Sequence, residues 1–396
     1  MRLRSSAIVG QLITRISSLL LSIGILVTLV HNLNLFDFSR LQICLSGIGI
    51  CLWVLDFGSS SSLILNQGKN QPDKIRELLG LRILIVFGAL ILFTICALIF
   101  IDLTAGILIF AVWADLSLDT LNGFRQVAYR QSTYFLTIAG RKLLQIILLS
   151  LVAFYSKINL VNLSIIFIFS ATLVLVMDLK LMKPTFKNLS LRRYYEGKWI
   201  WFQSGGTSLA NLDFWILSQG ISIFVIPTLA IGKKIANALG LVGGILSTQS
   251  MLIAAKEQAI DRKQLKKVFR WALAVAIMSL AIFIFERQVL SLLISDKSNE
   301  SLIWIIRAFL IVVPVGVITS SLNSILVGMS LNKEAAISTY ASTLLYLLLI
   351  FFAVFESLNI MLISLAIIIN TLAELLMQAG FLLINERKIN AARRIP

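Results

Sequence analysis

Seven long stretches free of Asp, Glu, Lys and Arg dominate this sequence: residues 16–36, 83–101, 158–177, 214–232, 235–255, 308–332 and 335–355. Each approaches or exceeds the ~20 residues that a helix rising 1.5 Å per residue needs to cross ~30 Å of hydrocarbon. Membrane-spanning strands would instead alternate apolar and polar residues over ~10 positions, and no such alternation occurs. Composition removes the other classes. Charged residues make up 14 % of the chain and hydrophobic residues 58 %, whereas a soluble domain is about a quarter charged. That is too little polar material to wet a water-soluble enzyme. It is also too apolar for disorder, and three cysteines are too few for a disulfide scaffold.

The pattern predicts about twelve helices, at 8–30, 41–64, 83–101, 104–124, 143–156, 159–181, 199–221, 228–254, 271–294, 302–328, 335–355 and 358–384. Arg2 and Arg4 precede an apolar run too long for a signal peptide and followed by no small-residue cleavage site, which predicts a retained first span. The segments that twelve spans place on the N-terminal side carry 27 Lys and Arg, with Arg82, Arg125, Arg141 and Lys142 read as loop residues among them. The opposite side carries 4: Arg40, Lys157, Arg287 and Lys297. That asymmetry predicts a multi-pass protein with both termini in the cytoplasm. The net charge of +16 is then a topology signal with attraction to membrane lipids added, and it calls for no nucleic acid.

The longest polar interruption, 180–198, falls near the midpoint. It predicts an N-terminal six-helix lobe (1–182), a cytoplasmic linker (183–198), a C-terminal six-helix lobe (199–386) and a cytoplasmic tail (387–396). Six spans per half let both halves enter from the same side, as parallel repeats about an axis along the membrane normal. A weak echo at an offset of 188 aligns Phe36 with Phe224, Ser62 with Ser250, Asp73-Lys74 with Asp261-Arg262, and Arg82 with Arg270. Two basic loops aligned by chance would give a similar echo.

Ionisable groups inside hydrocarbon cost at least ~2.5–3.5 kcal/mol at mid-span and persist where they meet a cavity, a partner or a substrate. The candidates are Arg15, Asp56, Asp115, Asp119, Asp213, Lys233, Lys234, Arg307 and Glu374. Three polar stripes accompany them: Asp115, Asp119, Asn122 and Gln126; Ser204, Ser208, Asn211 and Ser218; and Asn370, Glu374 and Gln378. Each would share one helix face. Together they predict a hydrated cavity, with polar glue between helices as the alternative. Asp115 and Asp119 stand one turn apart and should repel, which admits a proton-coupling role.

Arg15, Lys233, Lys234 and Arg307 read as a cationic lining for an anionic head group, phosphate or pyrophosphate. They could instead snorkel to the interface or pair with Asp213, Asp56 or Glu374. Pro227 and Pro314 are expected to bend the eighth and tenth spans, with Gly205-Gly206 and Gly243-Gly244 as further soft points. Cys44, Cys51 and Cys96 read as packing residues and His31 as interfacial, so no metal and no cofactor is implied.

The stretch Leu35-Phe36-Asp37-Phe38-Ser39, read as a turn, together with Trp53-Val54-Leu55-Asp56-Phe57-Gly58, resembles the start of the polysaccharide and O-antigen flippases. These belong to the multidrug/oligosaccharidyl-lipid/polysaccharide exporter superfamily. Asn211-Leu212-Asp213-Phe214-Trp215-Ile216-Leu217-Ser218 and Ile231-Gly232-Lys233-Lys234-Ile235 resemble that family's seventh and eighth spans. Ser39 stands where a glycine is usual, an aromatic expected before Lys233 is missing, and the chain is short for the family.

The resemblance implies an all-α integral membrane protein with two six-helix lobes, V-shaped around a central cavity, in the bacterial inner membrane. It implies transport of an undecaprenyl-pyrophosphate-linked glycan to the outer leaflet, with a glycan polymerase and other surface-polysaccharide assembly proteins as partners. Related lipid II flippases carry an essential first-span arginine, which Arg15 would match. Two other readings remain open. One is an ion-coupled drug antiporter using Asp115, Asp119 and Glu374. The other is a membrane-embedded glycan polymerase or ligase, which the short outer loops and the single His31 disfavour. No phosphate-binding Gly-rich loop, metal-ligand cluster or nucleophile elbow is present.

Overall fold

The structure, a computed structural model, describes residues 5–56, 72–122, 124–125, 131–187, 198–219, 225–257, 262–288, 300–356 and 359–392. Among the described residues every regular element is helical. The chain divides into two compact units, Met1–Trp201 and Phe202–Pro396.

The first unit holds α1 (Ser5–Asn32), α2 (Leu35–Asp56), α3 (Pro72–Phe100), α4 (Leu103–Thr120), α5 and α6 (Leu160–Met182). Helix α5 runs from Gln131–Phe135 through one π turn, Leu136–Gly140, into Arg141–Tyr155. Helix α4 is the centre: α2, α3 and α6 pack on it, α5 packs on α6, and α1 packs on α5. Leu78, Leu79, Ala114, Leu118, Phe124, Ala171 and Val174 form the core where α3, α4 and α6 meet. Helix α6 stops at Lys183, whose φ of 48° is left-handed and whose N–H reaches Leu179 O at 3.3 Å. At the unit's end Trp201 stacks on Trp53, each indole N–H donating to the other's carbonyl.

The second unit holds α7 from Phe202 onward (the helix runs Lys198–Leu209 and resumes at Leu212–Gln219), α8 (Val225–Glu257), α9 (Arg262–Ile284), α10 (Glu300–Gly328), α11 (Asn332–Phe355) and α12 (Ile360–Ala392). Here α10 is central: α8, α9 and α12 pack on it, α11 packs on α12, and α7 packs on α11. Helix for helix, this is the pairing order of the first unit. The repeat therefore shows in the packing; of the echoed pairs, Arg82 and Arg270 both lie on the third helix of their unit, Arg82 at 1 % exposure and Arg270 exposed. Ser62, Phe224 and Asp261 lie outside the described residues.

Nine helices among the described residues are long and apolar enough to cross a membrane, and Ile16–Asn32 is a shorter apolar segment. Their outer faces are apolar, with Phe100, Phe154 and Phe355 more than 70 % exposed, as a chain solvated by lipid requires.

Several boundaries differ from the sequence reading, each for a local reason. Leu35–Ser39 is no turn; it opens α2. Asn34 Oδ1 accepts the Asp37 N–H at 2.7 Å and Asn34 Nδ2 donates back to Asp37 at 2.9 Å, satisfying the first helical turn. The seventh helix is broken at Ala210-Asn211, so Ser208 and Ser218 fall on separate helical segments, with Asn211 at the break. Pro227 sits in the first turn of α8, where its missing N–H costs nothing. Pro314 lies inside α10, which stays continuous.

Gly243 lies at the contact of α8 with α10. A Cβ there would meet Ser320 Oγ at 2.9 Å and Val317 Cα at 3.2 Å, so its role is the close approach of α8 and α10. Residues 387–392, expected in the tail, extend α12.

Candidate functional site

In both units most of the described charges within the helical packing are organised as ion pairs. In the first unit two of the paired carboxylates, Asp115 and Asp119, lie on α4. Arg141 Nη2 lies 2.6 Å from Asp119 Oδ1, while its Nη1 donates to Asp115 O at 2.9 Å and stands 3.6 Å from Asp115 Oδ1. Gln145 Nε2 donates to Asp115 at 2.7 Å and to Ser170 Oγ at 2.9 Å, tying in α6. Two carboxylates one turn apart therefore share one guanidinium, and their expected mutual repulsion is offset. The π turn directly precedes Arg141, and such turns often mark functional positions. The neighbouring Lys142 Nζ donates to Ser22 Oγ at 2.5 Å.

Further along α4, Thr120 Oγ1 accepts from Arg82 Nε at 3.3 Å, and Arg82 also pairs with Asp56. Arg125 grips Asp178 with Nε at 3.1 Å and Nη2 at 2.5 Å, and its Nη1 donates to Asn122 at 2.8 Å. Arg82, Arg125, Arg141 and Lys142, read as loop residues, are thus packed inside the unit. They fold inward because Asp56, Asp178, Asp115 and Asp119 would otherwise lie in an apolar interior without counter-charge.

In the second unit Lys233 Nζ sits 2.7 Å from Asp213 Oδ2 and 2.9 Å from Oδ1, and 4.4 Å above the Phe214 ring. The break in α7 makes this possible. Asp213 lies in the first turn of the resumed helix, where its Oδ1 accepts the Phe214 N–H at 2.7 Å, and Tyr346 of α11 donates to its Oδ2 at 2.5 Å. Arg307 makes a fork with Glu286, Nε to Oε2 at 2.9 Å and Nη2 to Oε1 at 2.5 Å, flanked by Phe283 and Trp304 at 5.2 and 4.8 Å. Lys234 is half-buried beside Lys233.

Glu374 accepts from Thr339 Oγ1 at 3.2 Å and Gln378 Nε2 at 3.0 Å, both neutral. Asn370, one turn before it, has a buried Oδ1 with no hydrogen-bond partner. The side chains of Arg15, Gln126 and Ser204 lie outside the described residues.

The pairing alternative thus holds for Lys233 with Asp213. Asp56 pairs with Arg82, and the described partners of Glu374 are Thr339 and Gln378. Sequence reasoning missed Glu286, Asp178 and the buried arginines. Glu286 was legible as a lone acid closing an apolar run that begins at Trp271, whereas Asp178 sat against Lys180 and passed for a loop edge.

The two units differ in which charge they present. In the first the cation is the deeper partner: Arg82 is 1 % exposed against 20 % for Asp56, and Arg141 1 % against 39 % for Asp119. In the second the carboxylate is deeper: Asp213 is 0 % exposed against 21 % for Lys233, and Glu286 9 % against 26 % for Arg307.

No family model matches the chain, and no curated protein matches it either. Solved structures do match along nearly its whole length. An inward-facing multidrug-resistance MATE family transporter of the MOP superfamily aligns over 98 % of this chain and 99 % of its own, with TM-score 0.66 and 17 % identity. The lipid II flippase MurJ in an inward closed conformation aligns over 94 % and 86 %, with TM-score 0.71 and 15 % identity. The MATE multidrug transporter DinF-BH aligns over 95 % and 94 %, with TM-score 0.68 and 13 % identity. The fold of this chain is the twelve-helix fold of these transporters.

Proposed function

We propose that this chain is a transporter of the superfamily to which those structures belong. Within it, we assign the chain as a flippase for a polyprenyl-pyrophosphate-linked oligosaccharide, an O-antigen or other surface-polysaccharide unit, carried from the inner to the outer leaflet by alternating access. One observation carries the choice of cargo charge: in the second unit the ion pairs turn their positive ends outward. Lys233 and Arg307 are 21 % and 26 % exposed, while Asp213 and Glu286 are only 0 % and 9 % exposed. A diphosphate can share such a cation without stripping it of its partner. Lys234 adds charge to the same helix, and Arg15, by resemblance, would act from α1.

No bond is made or broken. The protein would work in the bacterial inner membrane with both termini cytoplasmic, alongside a glycan polymerase and other assembly proteins. Replacing Lys233 or Arg307 by Ala should cut surface glycan more than about tenfold, the equivalent of ~1.4 kcal/mol, at unchanged protein level in the membrane. Full surface glycan in both variants would sink the assignment. The outward carboxylates of the first unit, Asp56 and Asp119, favour a second reading, an ion-coupled antiporter of cationic drugs. Efflux of such a drug from pump-deficient cells would select it.

A further inference from the structure

Helix α9 packs on α8 and α10. It buries one narrow face, Gln264, Val268, Ala272, Val275 and Ser279. The opposite side carries Lys263, Lys266, Arg270, Leu273 and Ile277, at steps of three and four that stack along one helix face. All five are exposed. Along this line the helix passes from cations to an apolar stripe within one turn. Its sequence holds five Lys and Arg and no Asp or Glu. Phe269 and Trp271, both exposed, flank the change, where aromatic rings suit the boundary between head groups and acyl chains. Beside this face Lys267 Nζ donates to Gln249 of α8 at 2.9 Å.

The first unit treats the same positions in the opposite way. At the offset of 188, Lys266, Lys267, Phe269 and Arg270 correspond to Leu78, Leu79, Leu81 and Arg82 of α3, the third helix there. Those four are all buried, the leucines in the core and Arg82 against Asp56. The segment after α6 also lies on this part of α3, the Thr185 N–H donating to Arg76 O at 3.1 Å. The second unit thus turns outward, mostly as cations, positions that its counterpart keeps inside.

These cations also stand at the less favourable end of their helix. Arg262 and Lys263 occupy the first turn of α9, which has no acidic residue, at the positive end of the macrodipole. A bound anion relieves both the dipole and the mutual repulsion. An ammonium and a guanidinium one turn apart suit a phosphate, and Leu273 and Ile277 suit hydrocarbon. A soluble anion or an acidic peptide would leave the apolar half of the face unused. A lipid carries both parts in the required order.

We propose that this face of α9 binds an anionic glycerophospholipid of the phosphatidylglycerol class. Its phosphate would lie against Lys266 and Arg270 and its acyl chains along Leu273 and Ile277. The site is independent of the choice of cargo.

The test titrates the purified full-length protein with phosphatidylglycerol or phosphatidylcholine of equal chain length and reads bound lipid by native mass spectrometry. Phosphatidylglycerol should bind more tightly. Lys266→Gln with Arg270→Gln should weaken it roughly thirtyfold, about fivefold per cation, and leave phosphatidylcholine unchanged. Lys266→Gln alone should show the fivefold step if the double variant does not fold, which its melting curve in phosphatidylcholine reports. Lys180→Gln with Lys187→Gln removes two exposed cations of the first unit and should change nothing. An equal loss in that control overturns the site in favour of diffuse attraction to net charge. Equal affinity for the two lipids overturns it outright. Tighter binding of a polyprenyl diphosphate, lost in the same α9 variants, overturns it in favour of cargo at this face.

Discussion

The pair Arg125–Asp178 offers the sharpest energetic test of the packing. Both side chains are at most 1 % exposed, and their nearest atoms are 2.5 Å apart. At an effective dielectric of about 20, two unit charges at that separation attract with roughly 7 kcal/mol, a gross figure that the lost hydration of both ions largely offsets. Asp178→Asn removes the attraction and leaves the guanidinium buried without a counter-ion, which costs about 3–5 kcal/mol. The double variant Arg125→Met with Asp178→Leu removes both charges and should recover most of that loss, because the desolvation term vanishes with them. Reversible unfolding in mixed micelles, titrated with a denaturing detergent, reads both values. A single-variant cost below about 1 kcal/mol, or a double variant as unstable as the single, would refute the view that this pair is a dry, mutually dependent unit.

Other expectations follow from the same geometry. Tyr346→Phe deletes a charge-assisted bond to fully buried Asp213 and should cost about 1.5–3 kcal/mol by the same unfolding assay, with Lys233 retained as partner. Gly206→Ala places a Cβ 3.0 Å from the Thr339 backbone carbonyl carbon and oxygen; overpacking of this kind costs about 1–3 kcal/mol, and a melting temperature equal to wild type would show that α7 and α11 can part freely. Asp102, in the turn between α3 and α4, has its carboxyl held below the ordinary aspartate range by the Ala105 N–H and by Arg40. A depressed carboxyl contributes above its unfolded pKa and loses that contribution as pH falls through the folded value. Acidification should therefore weaken the wild type but not Asp102→Asn at this position, and identical acid profiles would count against the cap.

How much of this was legible in advance varies with the scale of the feature. Helix existence rests on long apolar runs, a signal set by bilayer thickness that local chemistry cannot disguise, and the six-and-six division on the polar interruption at 180–198. Helix ends were less legible. Asn34 and Asp37 close a cap that a hydropathy window averages away, and the break at Ala210 leaves no gap in apolarity. The buried cations were misplaced for a different reason. Arg82, Arg125 and Arg141 each stand at the margin of an apolar run, where a loop residue and an inward-turned ion partner have the same sequence signature. Only the positions of Asp56, Asp178, Asp115 and Asp119 on neighbouring helices distinguish them, and that is tertiary information. The carboxylates Asp213 and Glu374 were visible because they interrupt apolar segments outright, but their opposite fates, one salt-bridged and one surrounded by neutral donors, depend on which helix lies alongside.

The distribution of pairs along the chain has a consequence for biosynthesis. Asp56 emerges before Arg82, Asp115 and Asp119 before Arg141, Asp213 before Lys233, and Glu286 before Arg307. In each of these cases an acidic helix would reach the insertion machinery before the residue that neutralises it has been translated. Such a helix has to wait at the bilayer margin, or beside a chaperone, until its counterpart arrives. A ribosome stalled after α4 has left its exit tunnel but before Arg141 has done so should therefore hold α4 loosely, and one stalled after Tyr155 has emerged should hold it firmly.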